Sequence, residues 1–291
     1  MRLNRFLASA GLGSRRSVED LITSGQVKIN GRVVTDLGTK VTPEDAVKVG
    51  SRLLHVQEPL TALLNKPRGY VCTAEDDRER RTIFDLLPST WPRVFHVGRL
   101  DMESEGLLIV TNDGDLSLAL THPRYKVEKV YEVLIDKPFD PKGHEKLLKG
   151  FHIIGGRAKV ERVEQLGPRH LRLTLLQGIK RQIRLMLYEL GYEVERLVRV
   201  QIGGLKIREM RPGDWRMLTP KEIATLKTPE AAPAPVRATS RKPRPPQTRP
   251  ERKVAPRQER TSTQQRNPPQ QRPDKARQQR PPSSRARSAG R

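Results

Sequence analysis

The sequence predicts an α+β chain in three parts: a small helix-helix-hairpin unit over residues 1–58, a larger unit over 59–228, and a disordered tail over 229–291. Three observations predict it. Two short amphipathic segments are followed by alternating residues around Asn30-Gly31, a strong hairpin signal. From Thr61 to about Lys227, short apolar runs alternate with turns and a few helical stretches. At Pro229 the composition changes abruptly.

In the first unit, Leu3, Phe6, Leu7 and Ala10 recur at helical spacing until Gly11-Leu12-Gly13 breaks the pattern. Ser14 is placed to cap a second helix that carries Arg15 and Arg16 in its first turn. Val18, Leu21 and Ile22 form its apolar face and Gly25 its end. Val27-Lys28-Ile29 and Arg32-Val33-Val34 then flank the turn pair Asn30-Gly31. Arg15, Arg16, Lys28 and Arg32 are expected on the surface, where they would grip phosphate. Two arginines at a helix start oppose the macrodipole, which points to binding rather than stability. A DNA-binding helix-turn-helix and an ordinary solvated basic face are the competing readings of the same residues.

In the second unit, Val94-Phe95-His96-Val97 and Leu107-Leu108-Ile109-Val110-Thr111 read as strands. Asn112-Asp113-Gly114 is a turn, and Asp115 is expected to cap a helix through Leu116, Leu118, Ala119 and Leu120. The polar segment from Gly98 to Gly106 hangs between those strands, where functional side chains are commonly displayed. Further on, a strand over 171–176 ends at Gln177-Gly178. Lys180, Arg181 and Arg184 are then expected on a helix with Ile183, Leu187 and Leu190 on its apolar face, stopped by Gly191. On spacing alone, one Asp in a loop and one Arg on a helix do not identify a reaction, and Asp101 reads equally as a turn cap.

The tail carries 17 Lys and Arg against 4 Asp and Glu, so +13 of the chain's formal net charge of +23 lies there, with 13 of its 24 prolines. It has no Phe, Trp or Tyr, and its only large aliphatics are Val236 and Val254. Such a segment buries too little apolar surface to offset chain entropy. Either a solubilising linker or loose attraction to RNA phosphates fits it.

A chain this basic calls for an anionic partner, nucleic acid or an acidic membrane face. No apolar run approaches bilayer-spanning length and residues 1–4 lack the start of a signal peptide, so a soluble cytoplasmic monomer with no membrane association is expected. Cys72 is alone, and His55, His96, His122, His144, His152 and His170 are scattered without ligand spacing. No disulfide, structural metal or redox role is expected. A P-loop and a dinucleotide GxGxxG are both missing, so no small-molecule cofactor is expected either.

The segment RLNRFLASAGLGSRRSVEDLITSGQVKINGRVV resembles the RNA-binding domain named after ribosomal protein S-four over about residues 2 to 50, which implies binding to structured RNA. Four later segments resemble, in order, the motifs of the pseudouridine synthases of the ribosomal branch that carries such a domain. They are Asn65-Lys66-Pro67-Arg68-Gly69, then GRLDMESEGLLIVTNDG over 98–114, then Lys129-Val130-Tyr131, and QGIKRQIRLM over 177–186 followed by Leu197 and Arg199. This resemblance implies a mixed, mainly antiparallel catalytic sheet and a cofactor-independent isomerisation of uridine. It puts Asp101 at the catalytic aspartate, Tyr131 at the active-site tyrosine and Arg184 at the basic partner.

Lys66, Arg99, Lys129 and Arg181 are expected to position RNA. Arg184 is expected within hydrogen-bond reach of Asp101, holding it and favouring its charged form. Tyr131 is expected to stack on an unstacked uracil. The sequence departs from the family pattern at Gln177, where many members have Glu, at Lys180, where Asn is common, and at Leu185, where a second Arg is usual. Gln177 and the basic tail resemble the F branch of the large-subunit enzymes. The implied partner is ribosomal RNA, foremost large-subunit RNA, with transfer RNA or small-subunit RNA as alternatives. A non-catalytic ribosome-assembly protein is the alternative of another class, and the S-four domain also accompanies RNA methyltransferases, whose glycine-rich methyl-donor loop has no counterpart here.

Overall fold

The computed structural model describes residues 1–227. The tail expected over 229–291 lies outside the described residues. The chain opens with helices α1 (Leu3–Ser9) and α2 (Glu19–Thr23), then strands β1 (Val27–Ile29), β2 (Arg32–Val34), β3 (Val47–Val49) and β4 (Arg52–Leu53). The strands pair in the order β2-β1-β3-β4, all antiparallel. Asn30 (φ 50°) and Gly31 (φ 85°) both take the left-handed conformation, which matches the turn to the twist of the flanking strands. Leu3, Leu7, Val18, Ile22, Val27 and Val47 close an apolar core, beside which Asn4 is buried with its amide donating to Glu19 at 2.8 Å.

One boundary differs from expectation. Residues 15–18 form turns and the helix begins at Glu19, so Arg15 and Arg16 precede it rather than occupying its first turn. Ser14 and Ser17 hold this entry, the Ser14 Oγ accepting from the Ser17 amide at 3.1 Å and the Ser17 Oγ from the Ser14 amide at 2.8 Å. These local bonds offer the backbone an alternative to the helix ladder.

The remainder contributes β5 (Thr61–Lys66), β6 (Phe95–Val97), β7 (Glu105–Thr111), α3 (Gly114–Thr121), β8 (Lys129–Ile135) and α4 (Lys142–Lys149). It continues with β9 (Phe151–Ile153), β10 (Gly156–Ala158), β11 (Arg162–Gly167), β12 (His170–Leu175), α5 (Gln182–Glu189), β13 (Val194–Ile202), β14 (Leu205–Lys206), β15 (Trp215–Met217) and α6 (Pro220–Thr225). Its nine-stranded sheet runs β11-β12-β8-β13-β7-β5-β15, with β14 on β13 and β6 on β7. Each pairing is antiparallel except β13 with β7.

Two helix starts also move. Asp113, not Asp115, caps α3: its carboxylate accepts from the amides of Asp115 at 2.8 Å and Leu116 at 3.1 Å. A carboxylate reaches the orphan amides two and three residues ahead, and Asp115 already stands inside the helix. Similarly α5 begins at Gln182, so Lys180 and Arg181 precede it, Arg181 with φ 56°.

Both β5 and β7 are buried on both faces, by clusters that include Leu63, Leu107 and Ile109 on one side and Leu64, Leu108 and Val110 on the other. A third cluster packs α4 and α5 on β8, β12 and β13. Strands enclosed on both faces draw in every side chain they carry, including a charged one at the end.

Candidate active site

The loop from Gly98 to Ser104 joins β6 to β7 and carries Asp101 just before the start of β7. Leu100 anchors it in the core, Gly98 turns it with φ 69°, and the Ser104 amide donates to the Asp101 carbonyl at 3.0 Å. The Gly69 amide, in the loop after β5, donates to the Met102 carbonyl at 2.8 Å. Beneath the loop, the Lys66 ammonium donates to Ser104 O at 2.8 Å, Pro67 O at 3.0 Å and Met102 O at 3.4 Å.

Lys66 is 0% exposed, which overturns its expected place as an RNA-positioning charge. It is the last residue of β5, paired opposite Gly106 of β7, and its donors are spent on two carbonyls of the loop and on Pro67. Burial lowers its pKa from 10.5 to about 8, against the raising influence of Cys72, Glu105 and Asp101.

A cavity of about 930 Å³ opens above β8 and β13. Asp101, Tyr131, Arg99, Lys129 and Arg181 line it, so five of the predicted residues converge on one site. Lys129 and Tyr131 lie two apart on β8 and therefore share a face, and Tyr131 is opposite both Leu173 and Arg199. Tyr131 is half-buried, its body against the core, as expected of a ring with one face to offer. Lys129 is no free surface cation either: its ammonium donates to Val127 O at 2.9 Å, and burial followed by repulsion from Arg199 lowers its pKa to about 8.

Arg184 lies next to this cavity but does not make the expected hydrogen bond to Asp101. Its Nη1 donates to Val194 O at 3.1 Å and its Nη2 to Glu103 O at 3.3 Å, with Nε 3.7 Å from the Glu103 carboxylate. The physical reason is the helix position: from the first turn of α5 the guanidinium meets the backbone at residue 103, which it ties to the start of β13. Its charge still attracts Asp101. Arg181 joins the same Glu103 carboxylate at 3.2 Å, so Glu103 rather than Asp101 is the direct ion partner of both arginines.

Arg15, Arg16, Lys28 and Arg32 are all exposed on the first domain, outside this cavity. That domain touches the rest of the described chain through an Arg5–Asp115 ion pair and a hydrogen bond from Arg93 to Gly13 O at 3.0 Å. Among the described residues no helix is long and apolar enough to cross a membrane, and no group of three His, Cys, Asp or Glu is arranged to hold a metal ion.

Sequence reasoning gave no role to two groups, Ser104 and Arg199, the second quoted only as part of the last motif. Arg199 is 3% exposed and Ser104 1%, and both line the cavity. The signal for Arg199 was its alternation with Leu197, an apolar residue on the same side of β13. Residues two apart on a strand share a face, so Arg199 follows Leu197 into the interior.

Comparison with known proteins shows the family. A family model described as RNA pseudouridylate synthase matches residues 61–189, and one for the S4 domain matches residues 1–47. The chain is 37% identical over 233 residues to ribosomal large subunit pseudouridine synthase B of Bacillus subtilis, covering 78% of this chain and 95% of that protein. It is 38% identical over 229 residues to the dual-specificity RNA pseudouridine synthase RluF of Escherichia coli K12, covering 78% of each. The expected F branch is thus represented, beside synthase B at nearly equal identity. A crystal structure of a pseudouridylate synthase matches with a TM-score of 0.59 at 30% identity, over 78% of this chain and 99% of that one.

Proposed function

The chain belongs to the RNA pseudouridine synthase family, and from that membership we propose that it isomerises a uridine of large-subunit ribosomal RNA with Asp101 as the reacting carboxylate. The observation that carries this reading is that Asp101 and Tyr131, on separate elements, line one cavity that Arg99, Lys129, Arg181 and Arg199 also line, among apolar side chains. A cavity of this size is adequate for a nucleotide. The reaction breaks the bond between uracil N1 and ribose C1′, turns the base and rejoins it through C5, so a carboxylate beside the sugar and a flat surface beside the base are what it requires. A stacked uridine cannot reach that carboxylate, so the base must be turned out of its helix or loop, at a cost of a few kcal/mol offset by phosphate contacts.

Those contacts come in part from Arg15, Arg16, Lys28 and Arg32 of the first domain, and Arg99 and Arg181 at the cavity rim supply others. Arg184 acts through the loop: by holding Glu103 it fixes the segment that carries Asp101. Lys66 fixes the same segment from below. The substrate assignment rests on the Bacillus subtilis relative, whose name specifies the large subunit. The Escherichia coli relative is named for dual specificity, which favours a second RNA class, such as transfer RNA, as the alternative substrate.

Carbodiimide mapping of pseudouridine tests the assignment. Purified protein incubated with large-subunit RNA lacking modifications should introduce a pseudouridine that is missing from the RNA of a strain without the protein. A new pseudouridine found only in transfer RNA or small-subunit RNA would overturn the large-subunit reading.

A further inference from the structure

Three cations meet under the cavity: Lys66, Lys129 and Arg199. Arg199 adds to the depression of the pKa of both lysines, so it lies within electrostatic range of each. The carboxylates that act on Lys66 are Glu105 and Asp101, and Glu105 is already held by two hydrogen bonds from Arg196, at 3.2 and 2.9 Å. Lys66 spends its donors on Ser104 and Met102 of the Asp101 loop and on Pro67. Arg199 and Lys129 keep donors in reserve. The Arg199 Nε donates to Leu107 O at 2.7 Å, yet its Nη2 is buried without a hydrogen-bond partner, and so is the Ser104 hydroxyl. Lys129 has one protein hydrogen bond for three donors.

Backbone geometry aims these groups at the same place. Arg199 is opposite Tyr131 on β8, so the two side chains leave the sheet on one face, which Lys129 shares. The register shifts between Arg199 and Gln201, an irregularity of the kind that re-aims a side chain beside a site. On its other flank Arg199 is paired with Gly106, where a Cβ would come within 2.3 Å of the Arg199 carbonyl oxygen. Glycine there brings β7 and β13 close enough for the Arg199 guanidinium to bond the backbone of β7 at Leu107 O.

Burying an unpaired guanidinium donor costs free energy unless an acceptor arrives. Given the pseudouridine synthase reading, on which this inference rests, the reaction itself supplies one. When the N1–C1′ bond breaks, its electron pair stays on N1, and the detached base carries a negative charge spread over N1, O2 and O4. After rotation, C5 of that anion forms the new bond to C1′; the proton on C5 is then lost and N1 regains one, which balances the isomerisation. We propose that Arg199 and Lys129, assisted by the Ser104 hydroxyl, form the binding site for this uracil anion and stabilise it while the base is unattached. Donors fixed in advance where charge develops need no reorganisation as the bond breaks.

The test compares single-turnover consumption of uridine and 5-fluorouridine at the modified position of the same RNA. Fluorine withdraws electrons, so the departing fluorinated base is the more stable anion and needs less help. Arg199→Met and Lys129→Met should slow uridine consumption by about 100-fold, slow 5-fluorouridine several-fold less, and leave RNA affinity within about twofold. Lys129→Arg, which keeps the charge, should recover most of the rate. Arg199 is buried and its Met variant can fail to fold; Lys129→Met, with a less enclosed side chain, then carries the test alone. Equal slowing of both substrates would make the cations mere supports of Asp101 and overturn the proposal, as would weakened RNA binding at an unchanged rate, which would make them phosphate contacts. A wild-type protein that forms no pseudouridine would instead remove the reading beneath it.

Discussion

The first domain and the large sheet handle positive charge in opposite ways. In the first domain no charged side chain is buried, Asn4 being the polar one among the buried residues, and Arg15, Arg16, Lys28 and Arg32 stand in solvent. In the sheet, Lys66 and Arg199 are drawn into the interior and Lys129 is half enclosed. The difference separates two uses of a cation. A solvated arginine attracts phosphate at modest cost and is exchangeable with its neighbours. A buried cation must be matched by specific acceptors, and each of the three here is linked to the Asp101 loop or the cavity floor.

The contrast breaks first at Gly106. Gly106→Ala puts a methyl group against the Arg199 backbone at a φ of 106°. A loss of about 3–5 kcal/mol is expected in urea denaturation, since backbone strain and overpacking combine where neither strand can yield. A glycine of the first-domain hairpin, Gly31, meets no atom within 4 Å at its Cβ position and should lose less, by strain alone.

Lys66→Met should come next. It leaves the carbonyls of Ser104, Pro67 and Met102 without their shared donor, and a loss of about 1–3 kcal/mol is expected together with loosening of the Asp101 loop. The pH dependence has a definite sign. The folded-state pKa is depressed to about 8 while the unfolded chain keeps its proton to about 10.5, so between those values the unfolded state binds more protons. The Lys66 contribution to stability therefore rises with pH across that window, and below about pH 8 the buried charge is a constant cost. Subtracting the variant's denaturation midpoints from those of the wild type, pH by pH, should reveal that rise; a flat or falling difference would mean that Lys66 is not buried as a depressed cation.

The smallest effect belongs to the first domain. Arg15→Ala or Arg16→Ala should change stability by less than about 0.5 kcal/mol. Each should lower the slope of log affinity against log salt by roughly 0.7–0.9, one phosphate contact's share. The rate with RNA at saturation should stay as it was. A fall in that saturated rate would place these arginines in the reaction and erase the distinction between the two regions.

The same distinction explains how much the sequence disclosed. The hairpin around Asn30-Gly31 was legible because a two-residue turn with both residues left-handed has few alternatives. The strand over 107–111 and the loop before it were legible because a continuous apolar run bounded by turns has a single reading. The resemblance placed Asp101 and Tyr131, which do share a cavity.

The partner of Arg184 and the fates of Lys66 and Arg199 were not legible. Those depend on which strands flank β5 and β13, and the parallel contact between β7 and β13 joins segments more than 90 residues apart. Nothing local to Lys66 tells a strand end that emerges into water from one roofed by a distant loop. The start of α3 slipped because Asp113 and Asp115 both offer a carboxylate to the same capping amides, whereas α2 and α5 begin without a side-chain cap hydrogen bond.

The reacting group itself is tested by Asp101→Asn, which keeps the side chain's shape and removes its charge. Pseudouridine formation should fall below detection while the dissociation constant for the RNA stays within about threefold of the wild type's, a difference of less than about 0.7 kcal/mol. Turnover retained by the amide variant would contradict the account, because the cavity, the buried cations and the loop that they hold would then surround a carboxylate that does no chemistry.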